Sequence, residues 1–188
     1  LSQQNKVCEG DITPISHINA KGKNVIIIGG GDTGADCLGT AHRQGAKSVT
    51  SLEIMPKPPI SRAVKNPWPE WPKVYKIASA HEEGGERKYA ASTTKFIGNE
   101  KNQITAIEVI SVEQVNQPNG TINFVEIPNS KYEIPCDLVL LAMGFTGPHL
   151  WNNIRESGIQ LDKRQNIKVN PNWMTSIDGV FAAGDAKR

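Results

Sequence analysis

The sequence predicts an α/β fold, a parallel sheet carrying an inserted antiparallel β-meander, and three observations predict it. A continuous β-branched run, Val25-Ile26-Ile27-Ile28, breaks at Gly29-Gly30-Gly31 and passes into a helical pattern. Such a run is the mark of a strand buried on both faces of a parallel sheet. Further on, three segments alternate apolar and polar residues with turn signals between them, which is the pattern of an antiparallel meander. A last buried-strand signal, DLVLLA, then ends in Met143-Gly144.

Taken in order, residues 1–20 are polar, show no sustained periodicity and are expected to be a connector. The strand at 25–28 is followed by a helix from Asp32 to Gln44, on which Ala35, Leu38, Ala41 and His42 share a face. Gly45 stands where a left-handed C-terminal residue belongs. Ser48 to Ile54 forms the second strand, completing a unit of the size of one βαβ crossover. Residues 56–72, PKPPISRAVKNPWPEWP, are too rich in proline for a regular helix. A disordered linker would not carry Trp68 and Trp71, so an ordered loop packed on the domain, near a ligand or partner, is expected. A short helix is expected within 72–83 and an exposed turn over 82–88.

The meander strands are 92–97, 104–115 and 121–127, separated by the turn at 98–103 and by Pro118-Asn119-Gly120. A buried strand over 136–142 follows, then a short helix over 150–157. The last strand is Val180 to Ala183, delivering Gly184-Asp185.

Composition narrows the function classes. The chain has 188 residues, is 38% hydrophobic and 21% charged, and carries a net charge of +2. That is an ordinary globular composition with nothing to recommend nucleic acid or an anionic membrane as partner. No apolar stretch is long enough to span a bilayer and no leader pattern opens the chain, so a cytoplasmic setting is expected, or an organellar one in a eukaryote. Cys8, Cys37 and Cys136 include no CxxC pair and read as reduced thiols. The four histidines have no ligand spacing, and neither a metal set nor a catalytic triad can be argued. No catalytic side chain is assigned, so the chemistry is expected to come from cofactors.

The chemistry-bearing motif is Gly29-x-Gly31-x-x-Gly34 between strand and helix, the context that makes this pattern informative. Gly29 permits the tight turn, Gly31 lets a pyrophosphate approach the backbone, and Gly34 lets the helix lie close on a Rossmann-like sheet. The helix N-terminus offers free N–H groups and a positive dipole end. Gly30 completes the turn and Thr33 offers a hydroxyl donor. Asp32 would repel phosphate and is expected to cap the helix or bond the turn. Glu53, nineteen residues after Gly34, stands where an acid accepts the adenosine ribose hydroxyls. It favours NADH over NADPH, while Lys57 and Arg62 shortly afterwards are the residues that could hold a 2′-phosphate instead. Gly144 looks like the glycine turn that crosses between domains in flavoproteins with two dinucleotide folds.

The blocks GKNVIIIGGGDTGADCLGTAHRQGAKSV, LEIMPKPPISRA, NPWPEWPKVYKI, TKFIGNE, DLVLLAMGFTGP and GVFAAGDAKR resemble the NAD(P)H-oxidising, small-subunit-type region of the glutamate synthases. The loop NPWPEWP is the most specific of them, and the acid of LEIMP resembles the NADH-dependent branch. The resemblance implies an NAD(P)H-binding domain over 21–145. Residues 1–20 and 146–188 would then connect to an FAD-binding domain, with Gly184 and Asp185 on the FAD ribityl chain. It also implies iron–sulfur clusters and FMN in the full enzyme, and as partner the remainder of that chain or its large subunit. The family usually continues past Gly-Asp with a cysteine and basic residues, whereas here Ala186-Lys187-Arg188 follow and the chain stops. The first FAD fingerprint is also absent, so an excerpt of a longer protein is expected. Two alternatives stay open: a related NAD(P)H-dependent flavin or iron–sulfur reductase subunit, and a non-catalytic dinucleotide fold used for docking.

Overall fold

A computed structural model describes residues 1–10, 18–70, 72–144, 147–148 and 156–187. The chain divides into two compact units, Leu1–Met143 and Gly144–Arg188.

The first unit is built on a parallel sheet of four strands: β1 (Asn24–Ile28), β2 (Ser48–Leu52), β3 (Glu86–Lys88) and β8 (Leu138–Leu141), in the order β3-β2-β1-β8. Helix α2 (Asp32–Arg43) joins β1 to β2. It ends as the sequence predicts, with Gly45 at φ 82°. The Gly45 amide donates to the His42 carbonyl (2.8 Å) and the Ala46 amide to the Ala41 carbonyl (3.1 Å), the paired bonds of a Schellman motif.

Strand β1 shows why the β-branched run was needed. Val25 and Ile27 pack with Cys37, Leu38 and Ala41 of α2, while Ile26 packs with Leu52, Ile107 and Val109 on the opposite face. Both faces are therefore covered, and Ile27 is wholly buried at 0% exposure. Each such side chain contributes about 1.5–3 kcal/mol of burial. The three strand starts are tied by one polar knot: Asp137 accepts from the Asn24 amide (2.8 Å) and side chain (3.0 Å), and Ser48 donates to Asn24 Oδ1 (2.9 Å).

The inserted antiparallel sheet comprises β4 (Ala91–Gly98), β5 (Ile104–Asn116), β6 (Ile122–Glu126) and β7 (Tyr132–Pro135). The expected three strands are present, but a fourth pairs with β5 as well. β6 pairs with Val112–Asn116 and β7 with Ala106–Val109, so both run antiparallel to β5 along one edge. Between them the Ser130 hydroxyl takes the Ser111 amide (3.1 Å) that the broken ladder leaves over.

Two further expectations are corrected, and a third is met by a shorter element than its range allowed. Residues Ser2–Cys8 form a helix, α1, rather than an irregular connector. Its propensity is poor, but Gln44 Nε2 donates to Gln4 (2.6 Å) while Gln44 Oε1 accepts from the Ala20 amide (2.8 Å), a tertiary clasp that polar local sequence does not advertise. The segment read as an exposed turn over 82–88 contains β3, whose Glu-Arg-Lys sequence suits the polar edge of a sheet. The short helix expected within 72–83 is a single turn, α3 (Ser79–Glu82).

In the second unit Val180–Ala183 is not a strand. Only the bridge Met174–Phe181 forms, followed by a short 3-10 helix at Gly184–Ala186. A strand needs a run of paired backbone groups, and among the described residues this segment's pairing stops at that single bridge. The helix expected at 150–157 falls largely outside the described residues. Among the described residues, no helix is long and apolar enough to cross a membrane.

Candidate functional site

The turn from β1 into α2 is packed so tightly that Gly29 and Gly34 are dictated by their neighbours. Gly29 has φ 115°, and a Cβ there would lie 2.1 Å from the Ala142 carbonyl oxygen. A Cβ on Gly34 would lie 2.2 Å from the Gly29 carbonyl oxygen, so the helix rests directly on the turn. A Cβ on Gly30 would lie 2.1 Å from Glu53 Oε2. Gly31 differs, because a Cβ there would meet nothing within 4 Å. Backbone oxygens crowd Gly29 and Gly34, Gly30 faces the movable end of the Glu53 side chain, and Gly31 is open.

Gly31, with extended backbone (φ −76°, ψ −171°), is the N-cap of α2, and no side chain caps the helix. The expectation that Asp32 caps the helix is thereby corrected. A cap residue has non-helical backbone angles, and Asp32 is already the first helical residue. Its exposed carboxylate sits in the first turn, where the helix dipole favours negative charge. Thr33 is also exposed, and Gly34 is buried. The first-turn N–H groups are thus left without a side-chain partner at the cap.

Glu53 follows β2 directly and is half-buried. Its backbone is fixed on both sides, the amide donating to the Lys88 carbonyl (2.8 Å) and its own carbonyl accepting from the Ala91 amide (3.1 Å). Oε1 accepts from the Met55 amide (3.2 Å), and Oε2 lies over Gly30. Two residues distant in sequence, Gly30 and Glu53, are therefore brought together at the carboxyl ends of β1 and β2.

The two basic candidates are engaged elsewhere. Lys57 Nζ lies 4.9 Å from the centre of the Tyr75 ring. Arg62 Nη1 donates to the carbonyls of Asn66 (3.1 Å) and Glu70 (2.9 Å), inside its own loop. In the second unit Gly144 (φ 93°) and Gly184 (φ 60°) have the left-handed backbone that glycine favours, each with open space where a Cβ would be. Asp185 is exposed within the 3-10 helix, and Ala183 holds the cap position.

Sequence reasoning missed two contributors. The Ala142 carbonyl, which forces Gly29, is a backbone group with no sequence signal. The second is the group of Tyr75, Arg87 and Tyr89, with Arg87 stacked 4.5 Å over Tyr75 and hydrogen-bonded to its hydroxyl. Burial pushes the Tyr89 phenol up, against Arg87 and aided by Tyr75 and Glu53. Arg87 lay hidden in the segment read as a turn, though an arginine between two tyrosines was visible as composition.

A family model described as pyridine nucleotide-disulphide oxidoreductase matches residues 4–188. The chain is 45% identical over its full length to a protein named glutamate synthase [NADPH] small chain from Mycobacterium tuberculosis, of which it spans 38%. It is 43% identical over 89% of its length to glutamate synthase [NADH] from Saccharomyces cerevisiae, of which it spans 8%. The solved structure of thioredoxin reductase from T. acidophilum matches 89% of the chain at 25% identity with a TM-score of 0.56, the chain covering 45% of it. The crowded glycine turn, the strand-end acid, the parallel sheet with its antiparallel insert and the near-complete family match converge: this chain belongs to the pyridine nucleotide-disulphide oxidoreductase family.

Proposed function

We propose that this chain is the NAD(P)H-oxidising portion of a glutamate synthase, that it takes NADH by preference, and that it delivers hydride to FAD. The observation that carries the proposal is the juxtaposition of an uncapped helix N-terminus, an open Gly31 and the Glu53 carboxylate over Gly30. A pyrophosphate fits the first two features, being anionic and needing close backbone approach. A ribose diol fits the third.

Gly29, Gly31 and Gly34 would hold the pyrophosphate, with the first-turn amides and the Thr33 hydroxyl as donors. Glu53 would accept from the adenosine ribose, its backbone anchorage keeping the carboxylate aimed. A 2′-phosphate would bring negative charge against that carboxylate, which is the reason for preferring NADH. Relatives named for NADPH and for NADH are almost equally similar to the chain, so the preference rests on Glu53. Gly184 and the exposed Asp185 carboxylate would serve the FAD ribityl chain, with Gly144 at the crossing between the two units. When bound, the nicotinamide supplies a hydride and the flavin accepts it. Iron–sulfur clusters and FMN in the remainder of the enzyme would carry the electrons to glutamate formation from glutamine and 2-oxoglutarate. That remainder, as one chain or as a large subunit, is the partner.

Calorimetric titration with NADH and with NADPH tests the proposal. NADH should bind at least tenfold tighter, a difference of about 1.4 kcal/mol. Tighter NADPH binding would overturn the coenzyme preference and assign a phosphate to Lys57 or Arg62. Binding of neither by a folded sample would leave a docking module.

A further inference from the structure

The loop between β2 and α3 is braced from within, yet it presents its apolar side chains outward. Asn66, 6% exposed, is its hub: Oδ1 accepts from the Lys73 amide (2.8 Å) and Nδ2 donates to Glu70 (3.0 Å). Arg62 spans the Asn66 and Glu70 carbonyls, and the Tyr75 amide closes the loop on the Pro59 carbonyl (2.8 Å). Arg87 fastens it to β3 through the Tyr75 ring and the Lys76 carbonyl (3.1 Å). On this frame Ile60 is 90% exposed, Val64 97% and Trp68 83%. The loop is ordered and fastened to its domain, as the sequence suggests, but Ile60, Val64 and Trp68 turn away from the core.

Exposed apolar side chains held by a polar frame are costly in water and lower the ordering cost of binding. Their charge setting is one-sided: Lys57, Arg62, Lys65, Lys73 and Lys76 stand against Glu53 and Glu70. We infer that this loop is a docking element for an acidic protein surface with an apolar pocket that receives Trp68. The occupant is the larger part of the enzyme to which this domain supplies electrons, so the inference rests on the proposed function. Two observations favour that occupant. The relative named glutamate synthase [NADH] contains far more polypeptide than this chain, which spans 8% of it. A second copy would bring like charges together across the contact. A tryptophan seated in a pocket and ringed by complementary charge is the usual composition of an interface hot spot.

The test uses the complete enzyme. Trp68→Ala, and separately Lys65→Glu with Lys73→Glu, are assayed for NADH-driven ferricyanide reduction and for NADH-driven glutamate formation. Ferricyanide reduction needs only the nucleotide and flavin sites, so it should stay within twofold of wild type. Glutamate formation should fall tenfold or more in both variants. A photo-reactive benzoylphenylalanine in place of Val64 should cross-link to an acidic segment of the synthase part. The inference is overturned if glutamate formation is unchanged, or if both activities fall together, which would put the loop on the nucleotide site. It is equally overturned by cross-links confined to this domain or to a second copy, or by binding of the wild-type enzyme to anionic phosphatidylserine vesicles that Trp68→Ala abolishes. Wild-type enzyme unable to reduce ferricyanide with NADH would sink the proposed function instead, and the cross-linking result stands apart from that outcome.

Discussion

Two glycine-led turns invite comparison. In the first unit β1 runs into Gly29-Gly30-Gly31; in the second, Val180–Ala183 runs into Gly184-Asp185. Locally both are apolar stretches that stop at glycine. β1 is paired along its whole length with β2 on one side and, from Val25, with β8 on the other. The second segment makes one bridge, at Phe181, whose side chain is 62% exposed. In the crowded turn backbone oxygens occupy the places where Cβ atoms of Gly29 and Gly34 would go. Gly184 has open space and only its positive φ to explain it. Glycine thus answers to packing in one turn and to backbone conformation alone in the other.

The largest effect that follows is the cost of adding a methyl group. Gly34→Ala drives a Cβ into the Gly29 carbonyl and should cost about 3 kcal/mol, since a packed helix and turn must separate. Gly184→Ala should cost about 1 kcal/mol for its left-handed backbone. Urea denaturation of each variant tests the contrast, and equal costs would break it. Gly31→Ala sharpens the distinction within the first turn. It meets no neighbour and should lose only the N-cap preference for glycine over alanine, about 1 kcal/mol. Yet the methyl group intrudes on the pyrophosphate path, so NADH affinity should drop at least tenfold by calorimetry.

Glu53→Gln should come next, weakening NADH roughly tenfold, about 1.4 kcal/mol, while NADPH holds or improves. A parallel loss for both coenzymes would mean the carboxylate serves the Gly30 contact rather than the ribose. Arg62→Ala should loosen the proline-rich loop by about 1 kcal/mol, the worth of its hydrogen bonds to backbone. Coenzyme affinity should not change, and a selective loss of NADPH binding would show that the guanidinium leaves the loop for a phosphate.

The smallest effect concerns pH. Burial, reinforced by Arg87, holds the His81 imidazole below its ordinary range, and neutral Nδ1 accepts from the Ala78 amide (3.1 Å) at the start of α3. A lowered folded-state value means that the unfolded chain binds the proton more readily. The His81 contribution is therefore complete above the ordinary histidine value and is lost as pH falls towards the folded one. NMR titration of the ring should give a midpoint below that of a histidine peptide. In melts between pH 7.5 and about pH 5, His81→Ala should flatten part of the acid-side decline, and an unchanged decline would remove His81 from the account.

What was legible in the sequence was whatever depends on periodicity or on a residue's intrinsic geometry. The β-branched run, the face of α2, its Gly45 stop, the alternating meander strands and the spacing from Gly34 to Glu53 all belong to that class. Each constrains the backbone whatever surrounds it, so the fold and the core of the candidate site could be read without coordinates. What only the tertiary structure decided depends on partners far away in the chain. The Ala142 carbonyl sets Gly29, Gln44 holds α1, and β2 recruits Glu-Arg-Lys as an edge strand. Arg62 turned inward to its own loop, Ile60, Val64 and Trp68 turned outward, and Val180–Ala183 failed to become a strand. The reason is common to all of them. Hydrogen-bond satisfaction and exposure are properties of pairs of groups, and a sequence names the groups without stating which of them meet.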